Sequence, residues 1–225
     1  MTSWERFLDT FFNPVVLEKY GPSILDGVKV TVELSILIVA FGLLLGIGLA
    51  CLRSYRLRPL SVAIVIFADV LRAIPPLVLI LIVYFGLPST GIFLSSYMVL
   101  LLVLSIVLAA FAEELTWAGI TSIDKGQWEA ARSTGLSHTQ ALFSVILPQA
   151  IRMVIPPITN RAIAITKMTA LGTVIGVSDI LSQATTAQSF SGNASPLMLA
   201  AIAYCLLFLP LVIASRWLEH RYTIK

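Results

Sequence analysis

Apolar residues run unbroken through long stretches of this chain, and polar residues collect where those stretches end. Leu34 to Leu52, LSILIVAFGLLLGIGLACL, carries no charge, nor do residues 73–112, interrupted only by LPSTG, nor Pro196 to Ser215. A run of about 20 apolar residues crosses the hydrocarbon core as one helix. The pattern therefore predicts an all-α polytopic membrane protein with about five spans, near residues 26–52, 61–87, 93–118, 152–176 and 196–216. The fourth is interrupted by IPP and by Arg161 and Lys167; its apolar content and the parity of the chain ends make it a crossing. Before the first span, Trp4, Phe7, Leu8 and Phe11 recur at helical spacing, and Asn13-Pro14 and Gly21-Pro22 punctuate the chain. Residues 1–25 thus read as a lead-in lying along the interface, residues 26–217 as one membrane domain, and residues 218–225 as a tail.

Composition agrees: 58% of the 225 residues are hydrophobic and 12% charged, against about a quarter charged in a soluble domain. The opening MTSWERFLDTFF has acids where the basic region of a cleavable signal belongs, so it reads as retained. Charge also sets orientation. Arg53, Arg56 and Arg58 follow the first span, Lys125, Arg132 and Arg152 the third, and Arg216, Arg221 and Lys225 the fifth, whereas LPSTGIFLSS and SDILSQATTAQSFSGNAS carry no Lys or Arg. The positive-inside rule makes the first set cytoplasmic, with the N-terminus outside and the C-terminus inside. Arg6, Lys19 and Lys29 oppose this weakly.

The longest cytoplasmic loop, 121–150, holds a polar island, EAARSTGLSHTQALFSVILP, from Glu129 to Pro148. It predicts two helices meeting at Gly135, which can take the left-handed conformation that stops the first. Ser137 can cap the second, with Gln140 completing a capping box. Leu142, Phe143, Val145 and Ile146 form one apolar face and Pro148 turns the chain. Ala130 and Ala131 leave room for another backbone to approach. Two readings stand on these residues alone: a stiff knob for a partner, or a surface amphipathic helix without one.

The same residues carry a resemblance. The island is similar to the EAA loop of the membrane subunits of binding-protein-dependent ABC importers, in which E-A-A, three residues and G precede an apolar run ending in L-P. Glu129, Ala130, Ala131, Gly135, Phe143, Val145, Leu147 and Pro148 fall on that pattern. SIDKGQWEAA, ILPQAIRMVIPP, DGVKVTVELS and RAIPPLVLILIVYFGLP resemble the polar amino-acid (His/Gln/Glu/Arg-type) branch of the family, and the likeness runs from about Asp26 to the end. The resemblance implies a type I ABC importer permease domain in a bacterial inner membrane. It also implies a coupling helix, with Ser137 at its cap, fitted to a dimer of ATP-binding subunits, a second permease subunit, identical or similar, and an extracytoplasmic solute-binding protein. The solute would be a polar amino acid or related compound. The sequence has no G-x-x-x-x-G-K-[ST] phosphate loop and no G-x-S-x-G elbow, so no cofactor is expected in this chain, no metal ligands are expected, ATP belongs to the partner, and no enzyme activity is expected here.

Intramembrane polar groups are the remaining candidates for a pathway, because a charge at the bilayer centre costs roughly 2.5–3.5 kcal/mol on insertion scales and persists only near an end, paired, or facing a cavity. Asp69 and Arg72, three apart, can pair, with Glu113 and Glu114 in reach. Arg161 and Lys167 are pathway candidates, as is Thr169; in KMTAL the family commonly has Lys-Asp-Thr-Ser-Leu, so Lys167, Thr169 and Leu171 match while Met168 and Ala170 do not. Leu79 and Trp117 stand where the family often has Gln and Arg, which points to a less discriminating half of a heterodimer, a less polar solute, or plain helix packing. Gly42 and Gly46 form GxxxG. The rival to a permease subunit is a stand-alone secondary transporter or channel-like protein with Arg161 and Lys167 as its ion site.

Overall fold

The computed structural model describes residues 2–222; Lys225 of the expected tail lies outside them. Among the described residues every regular element is helical: α1 (Ser3–Phe12), α2 (Pro14–Arg53), α3 (Arg58–Ala73), α4 (Pro76–Gly86), α5 (Ser96–Ser122), α6 (Lys125–Ser133), α7 (His138–Ala141), α8 (Leu147–Lys167), α9 (Ile180–Ser191) and α10 (Ser195–Tyr222). A π turn at Leu142–Ile146 joins α7 to α8, and a 3-10 run at Met168–Ile175 extends α8. Among the described residues four helical runs are long and apolar enough to cross a membrane, and α3 and α4, bent by 102° at their junction, make a fifth if they count as one span.

The helix ends depart from the sequence expectation in four places. Residues 14–25 are not a separate lead-in but the first turns of α2, whose 40 residues extend about 60 Å, twice the hydrocarbon thickness. Asn13 starts it, its Oδ1 accepting the N–H of Val15 at 3.1 Å and of Val16 at 3.2 Å, with Pro14 in the first helical position where its missing N–H costs nothing. The second expected span is two helices, because Ile74 is extended ahead of the Pro75-Pro76 pair. The IPP sequence does not break α8, which runs through Pro156 and Pro157; the packed surroundings of a spanning helix tolerate such residues. The stretch expected as an outer loop after the fourth span contains α9, capped by Asp179.

The chain forms two compact units. One contains the chain up to Ile38, Leu77–Leu104 and Thr166–Leu211. Its core joins Ile24 of α2, Ile180 and Ala184 of α9 and Ala200 of α10. Gly27 lets α2 meet the α9 N-terminus so closely that a Cβ there would lie 2.8 Å from the Asp179 carbonyl oxygen. Asp179 is fully buried, and burial pushes its carboxyl above the usual range. The Ser182 N–H at 3.0 Å, the Thr173 hydroxyl at 3.0 Å and the Tyr204 hydroxyl at 3.2 Å all donate to it and partly offset that cost. Gly176, at φ +79°, ends the 3-10 run just before it.

The other unit contains Val39–Pro76, Ser105–Ile165 and the chain from Val212. Lipid offers no hydrophobic drive between helices, so close backbone approach must do the work. Here Gly42 faces Leu108, and Gly46 faces the Ala109 carbonyl and Ala112: the GxxxG pair of α2 packs on α5 of the same chain. The approach is sealed by an ion pair, Arg53 Nη1 to Glu113 Oε1 at 3.0 Å, with the Glu113 side chain 1% exposed.

Candidate coupling site

The 121–150 loop is a chain of caps. Asp124 opens α6 by accepting the Gly126 N–H at 2.6 Å. Gly135, at φ +89°, closes it: the Leu136 N–H reaches the Ala131 carbonyl at 3.4 Å and the Gly135 N–H the Arg132 carbonyl at 3.1 Å, the paired bonds of a Schellman stop. Arg132 Nη1 then holds the Leu136 carbonyl at 2.9 Å. Two residues on, Ser137 and Gln140 form a reciprocal box, Ser137 N–H to Gln140 Oε1 at 2.8 Å and Gln140 N–H to Ser137 Oγ at 3.3 Å. Pro148 does not turn the chain as expected. It has no N–H for the Ser144 carbonyl, and the backbone widens to a π turn in which the Leu147 N–H bonds Leu142, so the helical run continues from His138 to Ile175.

Apolar contacts then fix the loop to the helix ends. Leu142, Ile146 and Ala150 are buried with Ala50 and Cys51 of α2 and Ile120 of α5, and Trp117, Trp128, Val145 and Leu147 pack around them. Gln149 adds a polar tie, its Nε2 donating to the Val145 carbonyl at 2.7 Å and to Gln127 Oε1 at 3.3 Å. The expected coupling residues therefore separate. Glu129, Ala130, Gly135, Ser137 and Pro148 are exposed; Ala131 is buried and Val145 and Leu147 are half-buried against the core. Phe143 is exposed but sits in a groove with Leu44, Leu45 and Leu52 of α2.

Three features of this region escaped the sequence reading. His138, at the first position of α7, stacks on Trp128 at 4.9 Å and 18° and lies 5.1 Å from the Tyr55 ring, whose hydroxyl is 2.9 Å from Thr139 Oγ1. Trp117, which stands where the family often has Arg, lies under the Arg53 guanidinium at 4.5 Å. Arg53 itself, counted only as a loop charge, neutralises Glu113. The i, i+10 separation of Trp128 and His138 across a glycine stop was the available signal for the first.

The intramembrane candidates do not converge on one site. Asp69 Oδ1 meets Arg72 at 2.5 Å, and Glu114 also pairs with Arg72, a three-member cluster with two acids on one base. Arg161 lies over the Phe111 ring at 3.9 Å and Lys167 over the Phe208 ring at 5.7 Å, so each cation faces a π cloud. Thr169 is fully buried, donating to the Thr166 carbonyl at 2.8 Å. Asn160 was not singled out from sequence; it joins α8 to α10 by accepting from Ser215 Oγ at 2.6 Å and donating to Glu219. Among the described residues no group of three His, Cys, Asp or Glu is placed to hold a metal ion.

Residues 42–224 match the family described as binding-protein-dependent transport system inner membrane component. The chain is 35% identical over 202 residues to a probable glutamine ABC transporter permease protein, GlnP, of Bacillus subtilis (strain 168), covering 88% of this chain and 93% of that one. It is 34% identical over 202 residues to the arginine transport system permease protein ArtQ of the same organism, covering 89% and 92%. Among solved structures, an amino acid ABC transporter with histidines is similar at TM-score 0.82 and 32% identity, covering 92% and 97%. An inward-facing MetNI methionine ABC transporter shares the fold at TM-score 0.71 and 20% identity, covering 89% of this chain and 96% of that one.

Proposed function

Since this chain belongs to the binding-protein-dependent inner membrane component family and is the permease subunit of an ABC importer, we propose that it carries a polar amino acid or related small solute. Such a subunit is a multi-pass membrane protein that works with an ATP-binding subunit and a binding protein, and the hydrolysis of ATP belongs to the former. In our reading residues 26–217 form the type-1 permease domain and the chain sits with its N-terminus outside and its C-terminus in the cytoplasm. It pairs with a second permease, identical or similar, above two ATP-binding subunits. Residues 121–150 form the coupling loop.

One observation carries the assignment of the loop: it is capped at both ends of the Gly135 turn and fastened by Leu142 and Ile146, while Glu129, Ala130, Gly135 and Ser137 remain exposed. A force delivered at those exposed residues cannot be absorbed by fraying, because each helix end is satisfied by its own cap. It passes through the buried π turn into α8. The rival ion-site reading needs Arg161 and Lys167 to share a polar cavity, yet each lies over an aromatic ring.

The test is thiol labelling of Ser137→Cys in a Cys51→Ala, Cys205→Ala background, with the ATP-binding subunits present or stripped. The expected label enters only from the cytoplasmic side and is blocked by those subunits. Labelling from the external face, or no protection, overturns the assignment. Binding-protein-dependent uptake of labelled glutamine, arginine and cystine tests the solute class.

A further inference from the structure

Beside the coupling loop lies a cavity of about 640 Å³, and of its lining the coupling reading uses only Glu129. Tyr55, Arg56, Trp117, Lys125, Trp128 and His138 form most of its wall, and Glu129 supplies its one carboxylate. Two exposed cations against one acid leave it net positive. On the other side of Tyr55 runs a second, apolar groove of about 530 Å³, lined by α2 from Leu44 to Leu52 and by Phe143. Tyr55 is the one residue that lines both. The groove has Leu44 73% exposed, Leu52 47% and Phe143 51%, on a helix that crosses the bilayer. A polar, cationic cavity at the end of a span and an apolar slot leading from it along that span together describe an amphiphile.

The turn between them is built at a cost. Arg56 holds φ +56°, the left-handed region that a side chain disfavours. Bonds from its N–H to the Arg53 carbonyl at 3.0 Å and from the Tyr55 N–H to the Leu52 carbonyl at 3.3 Å fix it there, and Tyr55 is tied to Thr139. Such outliers cluster where a ligand is held.

We propose that this paired cavity and groove bind one anionic phospholipid, its phosphate against Arg56 and Lys125 and an acyl chain along Leu44–Leu52 beside Phe143. The proposal rests on the reading that the loop lies at the cytoplasmic membrane surface. A loop of a soluble partner fits less well, because the groove lies along a spanning helix. Basic pockets at the cytoplasmic ends of spans suit acidic headgroups, each Lys or Arg there contributing about fivefold in binding. The bound lipid would fasten the tip of α2 to the loop.

The test uses the full transporter with its ATP-binding subunits, in nanodiscs of phosphatidylcholine with and without phosphatidylglycerol carrying brominated acyl chains. Quenching of Trp117 and Trp128 and mass-spectrometric counting of retained lipid are the readouts. Wild type is expected to retain phosphatidylglycerol at least tenfold over phosphatidylcholine. The Arg56→Gln, Lys125→Gln double variant should lose that preference. Gly48→Leu projects into the groove from a position where a Cβ meets nothing within 4 Å, and should lower retention with both charges intact. Equal retention of the two lipids overturns the proposal. So does inorganic phosphate competing equally well while Gly48→Leu changes nothing, which marks a soluble-anion site; so does retention only after the ATP-binding subunits are stripped, which marks a partner interface. Co-purification of those subunits with wild type, scored in the same samples, reports the coupling reading separately.

Discussion

Gly135 separates folding from coupling, because the structure removes one of the two usual reasons for a glycine. Its φ of +89° disfavours any side chain, yet a Cβ built there meets nothing within 4 Å inside the chain. Gly135→Ala should therefore lose only the left-handed penalty, about 1–2 kcal/mol. Gly135→Asn should lose less, since Asn tolerates that region through local hydrogen bonding. At about 2–4 °C per kcal/mol for a chain of this size, alanine lowers the unfolding midpoint by a few degrees and asparagine by little. If the exposed turn is where the ATP-binding subunit approaches, asparagine must still fail in function, because its side chain projects into space that only the partner fills. The assay is ATP hydrolysis stimulated by loaded binding protein in proteoliposomes, read beside the midpoint of the solubilised complex. The expected pattern is a near-native midpoint for Gly135→Asn with stimulation down at least tenfold. Native stimulation in Gly135→Asn would reduce Gly135 to a turn residue and remove the close approach on which the docking geometry depends.

Other positions test the fold that carries this loop. Glu113→Ala should destabilise by about 3–5 kcal/mol by stranding Arg53, whereas Glu113→Ala with Arg53→Met should recover much of it; equal midpoints for the two would show that the pair does not act as a unit. Gly46→Ala puts a Cβ 2.6 Å from the Ala109 carbonyl oxygen and should cost about 1–3 kcal/mol by overpacking, while Gly48→Ala, in open space, should be neutral or better; indistinguishable melts refute the α2–α5 seam. The raised carboxyl of Asp179 means that the folded state holds a proton the unfolded chain has lost, so this group favours folding below the ordinary carboxylate range and loses that advantage as pH rises through its folded value. Asp179→Asn should flatten that dependence while Asp179→Ala, lacking the α9 cap, should lose about 1 kcal/mol; a pH profile unchanged in Asp179→Asn refutes the burial argument.

The spans were legible because hydropathy reports the solvent, and the Gly135 stop and Ser137 box because their chemistry is local. What escaped was decided at a distance. Gly21-Pro22 reads as punctuation, but Pro22 is carried inside α2. The stretch from Ser178 to Ser195 is too polar to look like a buried helix; its small Ala184 and Ala187 are nonetheless buried, Ala184 in a cluster with Ile24 of α2 and Ala200 of α10. The sequence placed Glu113 and Glu114 together within reach of Arg72, and Glu114 does pair with it, but Glu113 turns to Arg53 instead, because pairing depends on which turn of α5 faces α2 and α3. Leu79 and Trp117, flagged as departures from the family's polar residues, are half-buried, and Trp117 has a definite packing role under Arg53. At that position the aromatic replaces a cation by accepting one from the neighbouring helix.

That exchange bears on where this subunit's discrimination can lie. A polar solute passing the membrane needs groups that are free to bond it, and the strongest charges here are already committed: Arg72 to Asp69 and Glu114, Arg53 to Glu113 and Trp117. Breaking the Arg53–Glu113 pair to greet a solute would strand a buried charge at a cost of several kcal/mol, more than a weak transit site can return, while Arg72 is neutralised twice over by half-exposed carboxylates. Arg161 and Lys167 differ, since both are exposed within this chain and a cation on a ring face surrenders little when a carboxylate approaches. On the proposed amino-acid reading, a solute carboxylate would find its uncommitted cations on α8, the helix into which the 121–150 loop continues without a break. On the proposed coupling reading, the helix that receives the push also holds both cations, and a stroke at Ser137 would alter their exposure without a separate gate.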